Sequence, residues 1–113
     1  MHELGICRNI VAIVGDAARG RRVRRVTLEV GKLAGVMSEA LAFCFPVVAE
    51  GTPLAGAALD IREIAGRARC RDCGSEFEVA TLMPTSCACG SRRVQRIAGE
   101  ELNIKTMELE EAA

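Results

Sequence analysis

Six cysteines and one histidine are the residues in this chain best equipped for chemistry. Cys70-Arg71-Asp72-Cys73-Gly74 sets two thiols on one tight turn, where a single metal can accept both. Cys87-Ala88-Cys89-Gly90 supplies a second pair further along. The glycine after each pair lets the backbone fold so that its amides approach the sulfurs. Four thiolates suit tetrahedral zinc, and a full set of protein ligands leaves no open position for a catalytic water. The spacing therefore predicts a structural site. A redox pair, two disulfides and an iron site of rubredoxin type are the alternatives the cysteines alone leave open. Zinc is favoured because residues 66–99 are rich in Cys, Arg, Gly and Ser and poor in large apolar side chains. Such a segment builds no core of its own, and structural zinc supplies on the order of 10 kcal/mol of folding free energy. One irregularity stands out: Cys87 and Cys89 are separated by one residue, where a ribbon ordinarily has two. Cys7 and Cys44 fall on apolar helix faces without a partner motif and read as small buried hydrophobes.

The single histidine is His2. A histidine in second position can chelate through the Met1 amine, its own deprotonated backbone amide and an imidazole nitrogen. Those fused, nearly planar rings suit nickel(II) or copper(II) better than zinc. Glu3 could close the fourth position through its carboxylate or its backbone nitrogen. Read alone, such a histidine is more commonly a solvated side chain. Nothing resembles a nucleophile–base pair, a phosphate loop or a paired-carboxylate site, which predicts a non-enzymatic protein.

The elements that carry these groups are legible from periodicity. In residues 4–18, Ile6, Ile10, Ile13 and Ala17 recur at helical spacing, and Leu4, Cys7, Val11, Val14 and Ala18 widen the stripe. This helix should end near Gly20. Residues 23–30 alternate, with Val26, Leu28 and Val30 on one side, as a strand does. Ser38 is the expected N-cap of a second helix bearing Leu41, Cys44, Phe45 and Val48. Pro46 inside it predicts a kink or an early stop. A second strand is expected at about 57–64 with Leu59 and Ile61 inward, and Phe77 and Val79 on a short strand of the ribbon. A last strand follows from Glu100 to Glu110, where the apolar phase changes between Ile104 and Met107. The expected architecture is α/β (α+β): two helices against a small mixed sheet of about three strands, with an inserted four-cysteine zinc ribbon. Residues 1–66 plus 98–113 form a discontinuous α/β domain, and 67–97 form the ribbon, with glycines at both ends as in a hinged appendage.

Composition removes several functions. With three Phe and no Tyr or Trp, a base-stacking nucleic-acid module is not expected. A formal net charge of zero gives no bulk attraction to nucleic acid or to an anionic membrane. Met1-His2-Glu3-Leu4 lacks a basic, then apolar, export signal, and no run reaches the roughly 20 apolar residues of a membrane span. Cysteines without such a signal point to reduced thiols and a cytoplasmic setting.

Several stretches together resemble the HypA/HybF family of hydrogenase-maturation proteins. They are the Met1-His2-Glu3 start, Val26 to Leu33 (VTLEVGKL), Ser38 to Gly51 (SEALAFCFPVVAEG), Arg69 to Cys73 (RCRDC), Cys89-Gly90-Ser91 and Gly99 to Lys105 (GEELNIK). They span nearly the whole chain in the family's order. The resemblance implies a nickel metallochaperone that binds Ni(II) at His2, with Met1 and Glu3 in the same chelate, and zinc at Cys70, Cys73, Cys87 and Cys89. It implies work with the GTPase HypB, delivery to the [NiFe]-hydrogenase large subunit and, in some relatives, service to urease. Two departures are visible. The family's C-x-x-C-G-S would put the third zinc ligand at Ser86, where this chain carries its cysteine one step later at Cys87. Pro46 stands where relatives more often have a helix-compatible residue. The competing function is a zinc-ribbon protein-interaction module that transports no nickel.

Overall fold

The computed structural model describes residues 2–83 and 86–111. Helix α1 spans Glu3–Ala18 and buries Cys7, Ile10, Val11, Val14 and Ala18. Four of these five belong to the widened part of the expected stripe; of its central residues only Ile10 is buried, and Ile13 stays 59% exposed. The helix is closed by Arg19 in the left-handed region (φ 51°), one residue before the expected glycine. Gly20 continues the left-handed turn at φ 83°.

Strand β1 (Val23–Gly31) follows, with Val26, Leu28 and Val30 at most 1% exposed. Helix α2 spans Ser38–Ala49 and buries Leu41, Phe45 and Ala49. Its N-cap is Met37, so Ser38 is the first helical residue and not the cap. The Met37 N–H donates to the Glu3 carboxylate at 3.0 Å, and this bond ties the start of α2 to the start of α1. Pro46 does not stop the helix, which runs on for another turn's worth of backbone to Ala49. The reason is its position. Pro46 and Ala42 are both exposed, so the Ala42 carbonyl, deprived of its helical N–H, can be solvated.

Strand β2 (Ala58–Ile64) and strand β6 (Leu102–Leu109) flank β1 in a three-stranded sheet of order β2-β1-β6. The return of alternating apolar residues after the cysteine-rich segment does bring the last strand back beside the first. Leu59 and Ile61 are half-buried rather than core, as suits an edge strand. On β6 the half-buried positions are Ile104, Met107 and Leu109, and the phase shifts where the sequence predicts it. Lys105 pairs with Glu29 at 3.6 Å and Arg25 with Glu108 at 3.2 Å.

A second sheet, of order β4-β3-β5, is built from β3 (Arg67–Cys70), β4 (Glu76–Glu78) and β5 (Val94–Ala98). Both partners of β3 are antiparallel, with Ala68 opposite Phe77 on one side and Arg96 on the other. Phe77 lies on β4; Val79 lies just beyond it and donates its N–H to the Gly66 carbonyl at 2.9 Å.

By backbone contacts the chain divides into two compact units. One is Met1–Glu29, Met37–Arg62 and Asn103–Ala113; the other is Val30–Val36 and Glu63–Leu102. Within the second unit the expected hinge glycines have a different use. A Cβ on Gly31 would lie 2.0 Å from the Gly99 carbonyl oxygen, and one on Gly99 would lie 2.6 Å from the Gly66 Cα. Gly99 itself has φ 116°. The same crossing is stitched by Gly31 N–H to Glu101 O at 2.7 Å, Lys32 N–H to Ile64 O at 2.8 Å and Leu33 N–H to Gly99 O at 2.7 Å. Glycine is needed there because backbone meets backbone with no room for a side chain.

Candidate metal centre

The ribbon brings Cys70, Cys73, Cys87 and Cys89 together, their sulfurs all within 4.8 Å of one another. Cys70 ends β3, and its N–H donates to the Ser75 carbonyl at 2.9 Å, which closes the first turn. Gly74 N–H returns to the Cys70 carbonyl, also at 2.9 Å. In the second turn Cys87 N–H donates to Ser91 O and Gly90 N–H to Cys87 O, each at 2.9 Å. Cys70 and Cys87 are buried; Cys73 and Cys89 are exposed.

The Cys70–Cys89 sulfurs are 3.7 Å apart and the Cys73–Cys87 sulfurs 3.5 Å. A tetrahedron with zinc–sulfur bonds of about 2.3 Å has edges of about 3.8 Å. Disulfide bonds, at about 2.0 Å, are far shorter. The donor set and its spacing therefore fit one tetrahedral, thiophilic ion with no position left over. Backbone amides reinforce this. Cys73 N–H points at the Cys70 sulfur at 3.4 Å. At the second pair, spaced by one residue, the Cys89 amide favours the Cys87 thiolate from two residues on instead of three.

Electrostatics point the same way. The Cys73 amide, then that of Asp72, pulls the Cys70 thiol down to about 6 against the opposing effect of burial. Cys87 is lowered too, by the Cys89 amide first and the Ser75 hydroxyl second. At Cys89 the Ser91 amide favours the thiolate, but sulfur contacts from Cys87 and Cys70 outweigh it and push the group up to about 12. Cys70 and Cys87 are thus biased toward the thiolate, the form that binds a metal.

Some contributors were not singled out in the sequence. The Ser75 hydroxyl lies 3.1 Å from the Cys73 sulfur and 3.3 Å from that of Cys87, placed to donate to either thiolate. Asp72, inside the first turn, accepts from the Ser91 hydroxyl and from Arg93 Nη1 (3.0 Å), and so joins the first turn to the second. Serine and aspartate beside cysteine turns carry no distinctive spacing, so no pattern marks them in advance.

Cys7 and Cys44 stay outside the cluster. Cys7 is fully buried and donates its S–H to the Leu41 carbonyl at 3.4 Å; burial raises its pKa first, and Cys44 second. It behaves as the small hydrophobe expected.

At the amino terminus, Met1 lies outside the described residues. His2 is exposed and is the N-cap of α1, with φ −89°, ψ 95° and no side-chain capping bond. Its carbonyl accepts from Ile6 N–H at 3.1 Å. The N–H groups of His2 and Glu3, at the very start of a helix, have no intrahelical acceptor. The positive end of the helix dipole also favours any negative charge that develops there. The Glu3 carboxylate is engaged with Met37 N–H, which, with its own N–H second, holds it below its usual range.

Comparison with known proteins agrees with the site. Residues 1–109 match the family model described as "Hydrogenase/urease nickel incorporation, metallochaperone, hypA". The chain is 53% identical over 112 residues to the hydrogenase maturation factor HypA of Nostoc sp. strain PCC 7120, covering 98% of this chain and 97% of that one. It is 44% identical over 110 residues to its counterpart in Geobacter sulfurreducens, covering 97% and 100%. Among solved structures, the solution structure of a HypA protein matches with a TM-score of 0.70 at 23% identity, covering 96% of each chain. That of the Ni metallochaperone HypA from Helicobacter pylori matches at 0.65 and 22%, covering 96% of this chain and 97% of that one. These two show that the fold of helices and small sheets is shared. The chain belongs to the HypA family of hydrogenase/urease nickel-incorporation metallochaperones, which are maturation factors and not enzymes.

Proposed function

We propose that this protein takes up Ni(II) at its amino terminus, holds one structural Zn(II) in its ribbon, and delivers the nickel during [NiFe]-hydrogenase maturation in the cytoplasm. The observation that carries the proposal is the match of residues 1–109 to a nickel-incorporation family. His2 is the central nickel ligand, giving its imidazole and its backbone nitrogen, with the Met1 amine as the third donor. Glu3 closes the fourth position, through its backbone nitrogen or its carboxylate, one oxygen of which accepts from Met37 N–H. Support comes from the exposed His2 side chain, and from the His2 amide, which the helix leaves without an intrahelical acceptor. A deprotonated amide carries negative charge into the end of the helix that favours it.

Zinc, held by Cys70, Cys73, Cys87 and Cys89, stands in for the hydrophobic core that residues 67–97 lack. The nickel-binding domain comprises residues 1–66 plus 98–113. Transfer proceeds by ligand exchange: the exposed chelate gives up its ion as a receiver offers new donors. The GTPase HypB and the hydrogenase large subunit are the partners in that exchange, and urease is a second destination. The test is maturation in a host lacking its own copy. Wild type should restore radiolabelled nickel in the hydrogenase large subunit, and His2→Ala should not. Equal incorporation with both would refute the nickel route and leave a ribbon that serves only as an interaction module.

A further inference from the structure

Helix α2 buries one face on α1 and leaves the other without cover. Phe43 is 81% exposed and Val47 65%. With Ala42 and Pro46, also exposed, they recur at helical spacing of three and four and form one continuous apolar stripe. Singly exposed apolar residues are ordinary, but a contiguous stripe headed by a nearly bare phenylalanine marks an interaction surface. Exposed Glu39 and Glu50 stand at its two ends, a further four and three residues along the same face. Neither forms an ion pair among the described residues. The helix carries no basic residue. The stripe thus offers two carboxylates and apolar side chains, and no charged donor.

That chemistry decides between occupants. A second copy packed antiparallel through the stripe would set Glu39 against Glu50, and a parallel copy would set Glu39 against Glu39. Both register like charges around an apolar contact, which disfavours self-association. The same carboxylates disfavour an anionic lipid surface. A segment that brings apolar side chains with Lys or Arg on either side satisfies every group on the face.

We propose that the outer face of α2, centred on Phe43 and Val47 and bounded by Glu39 and Glu50, is the docking surface for a basic amphipathic helix of a partner protein. The surface contains neither the thiols nor the amino-terminal donors, so the inference stands apart from both metals. Phe43 contributes as an anchor of the kind that dominates helix-in-groove recognition, and the two glutamates select the partner's charge and orientation.

The test uses a display library of randomised 16-residue helical peptides, selected on the full-length, zinc-loaded protein. Selected sequences should carry apolar residues at i and i+4 flanked by Lys or Arg. A representative binder should lose at least tenfold in affinity to Phe43→Ser and to Val47→Ser. Both variants should keep the wild-type helical circular dichroism and zinc content, since the replaced side chains are exposed. Glu39→Lys with Glu50→Lys should invert the preference toward acidic flanks. The proposal is overturned if no binder is recovered that Phe43→Ser weakens, or if binders show no basic bias. It is also overturned if sedimentation shows the protein dimerising through this face, with Phe43→Ser restoring the monomer.

Discussion

Replacing Cys87 with serine tests the least regular feature of the metal centre. Cys87 is 7% exposed, and its sulfur lies 3.5 Å from that of Cys73 and 3.3 Å from the Ser75 hydroxyl. Serine keeps the turn, whose bonds run through the Cys87 backbone, and removes one thiolate of four. Structural zinc sites bind with roughly 10–16 kcal/mol, so an equal share per ligand is about 3 kcal/mol. Converted to affinity, that is about two orders of magnitude. Competition against a chromophoric zinc chelator under reducing conditions should show this loss. Limited proteolysis should then cut within residues 67–97, while helical circular dichroism persists, because α1 and α2 lie in the other compact unit. The outcome that refutes the reasoning is full zinc affinity in Cys87→Ser together with loss in Ser86→Ala. That pair of results would place the third ligand at position 86, where the family's usual spacing has it.

Two glycines should respond with opposite sign to alanine: Gly15→Ala, with only Leu54 Cδ1 at 3.8 Å, should stabilise the protein in urea by about 0.5–1 kcal/mol, whereas Gly31→Ala, facing a carbonyl at 2.0 Å, should cost about 3 kcal/mol or more. Ser75→Ala removes a donor shared by two thiolates and should weaken zinc about tenfold and shift the sulfur-to-metal charge-transfer band of the cobalt-substituted protein. The Glu3 carboxylate is held below its usual range in the fold, so its bond to Met37 stabilises above the unfolded value and is lost as pH falls through the folded one. The difference in melting temperature between wild type and Glu3→Ala should therefore be full near neutrality and shrink under acid.

How far the sequence reaches depends on what each residue's neighbours decide. The helices and central strand were readable because Cys7, Val11, Val14, Val26, Leu28 and Val30 repeat at the periods of their elements. Which side of a broad stripe faces inward was not: Ile13 is as apolar as Ile10, and only packing leaves it exposed. Ser38 has the chemistry of an N-cap, yet Met37 takes that position, its N–H bonded to Glu3, which is distant in sequence. Pro46 is tolerated because it and Ala42, whose carbonyl loses its helical N–H, lie on the exposed face, which tertiary packing decides and not the residue. Gly66 and Gly99 read as hinges, but the φ of Gly99 and the closeness of facing backbone belong to the folded crossing alone. The four cysteines were legible as a set. Their supporting shell of Ser75, Asp72, Ser91 and Arg93 was not, since turns far apart in sequence create it.

The most direct measurement is calorimetric titration of the zinc-loaded protein with nickel, on wild type, His2→Ala and a form with two residues added before Met1. Wild type should bind one nickel per chain. Loss of the imidazole opens the shared chelate rings, and an extension turns the terminal amine into an amide; each should weaken binding at least tenfold, about 1.4 kcal/mol or more. Zinc content should be equal in all three, because the thiolates share no donor with the amino terminus, and acid should release nickel as imidazole and amine take up protons. Equal nickel affinity in the three forms would contradict an amino-terminal carrier site.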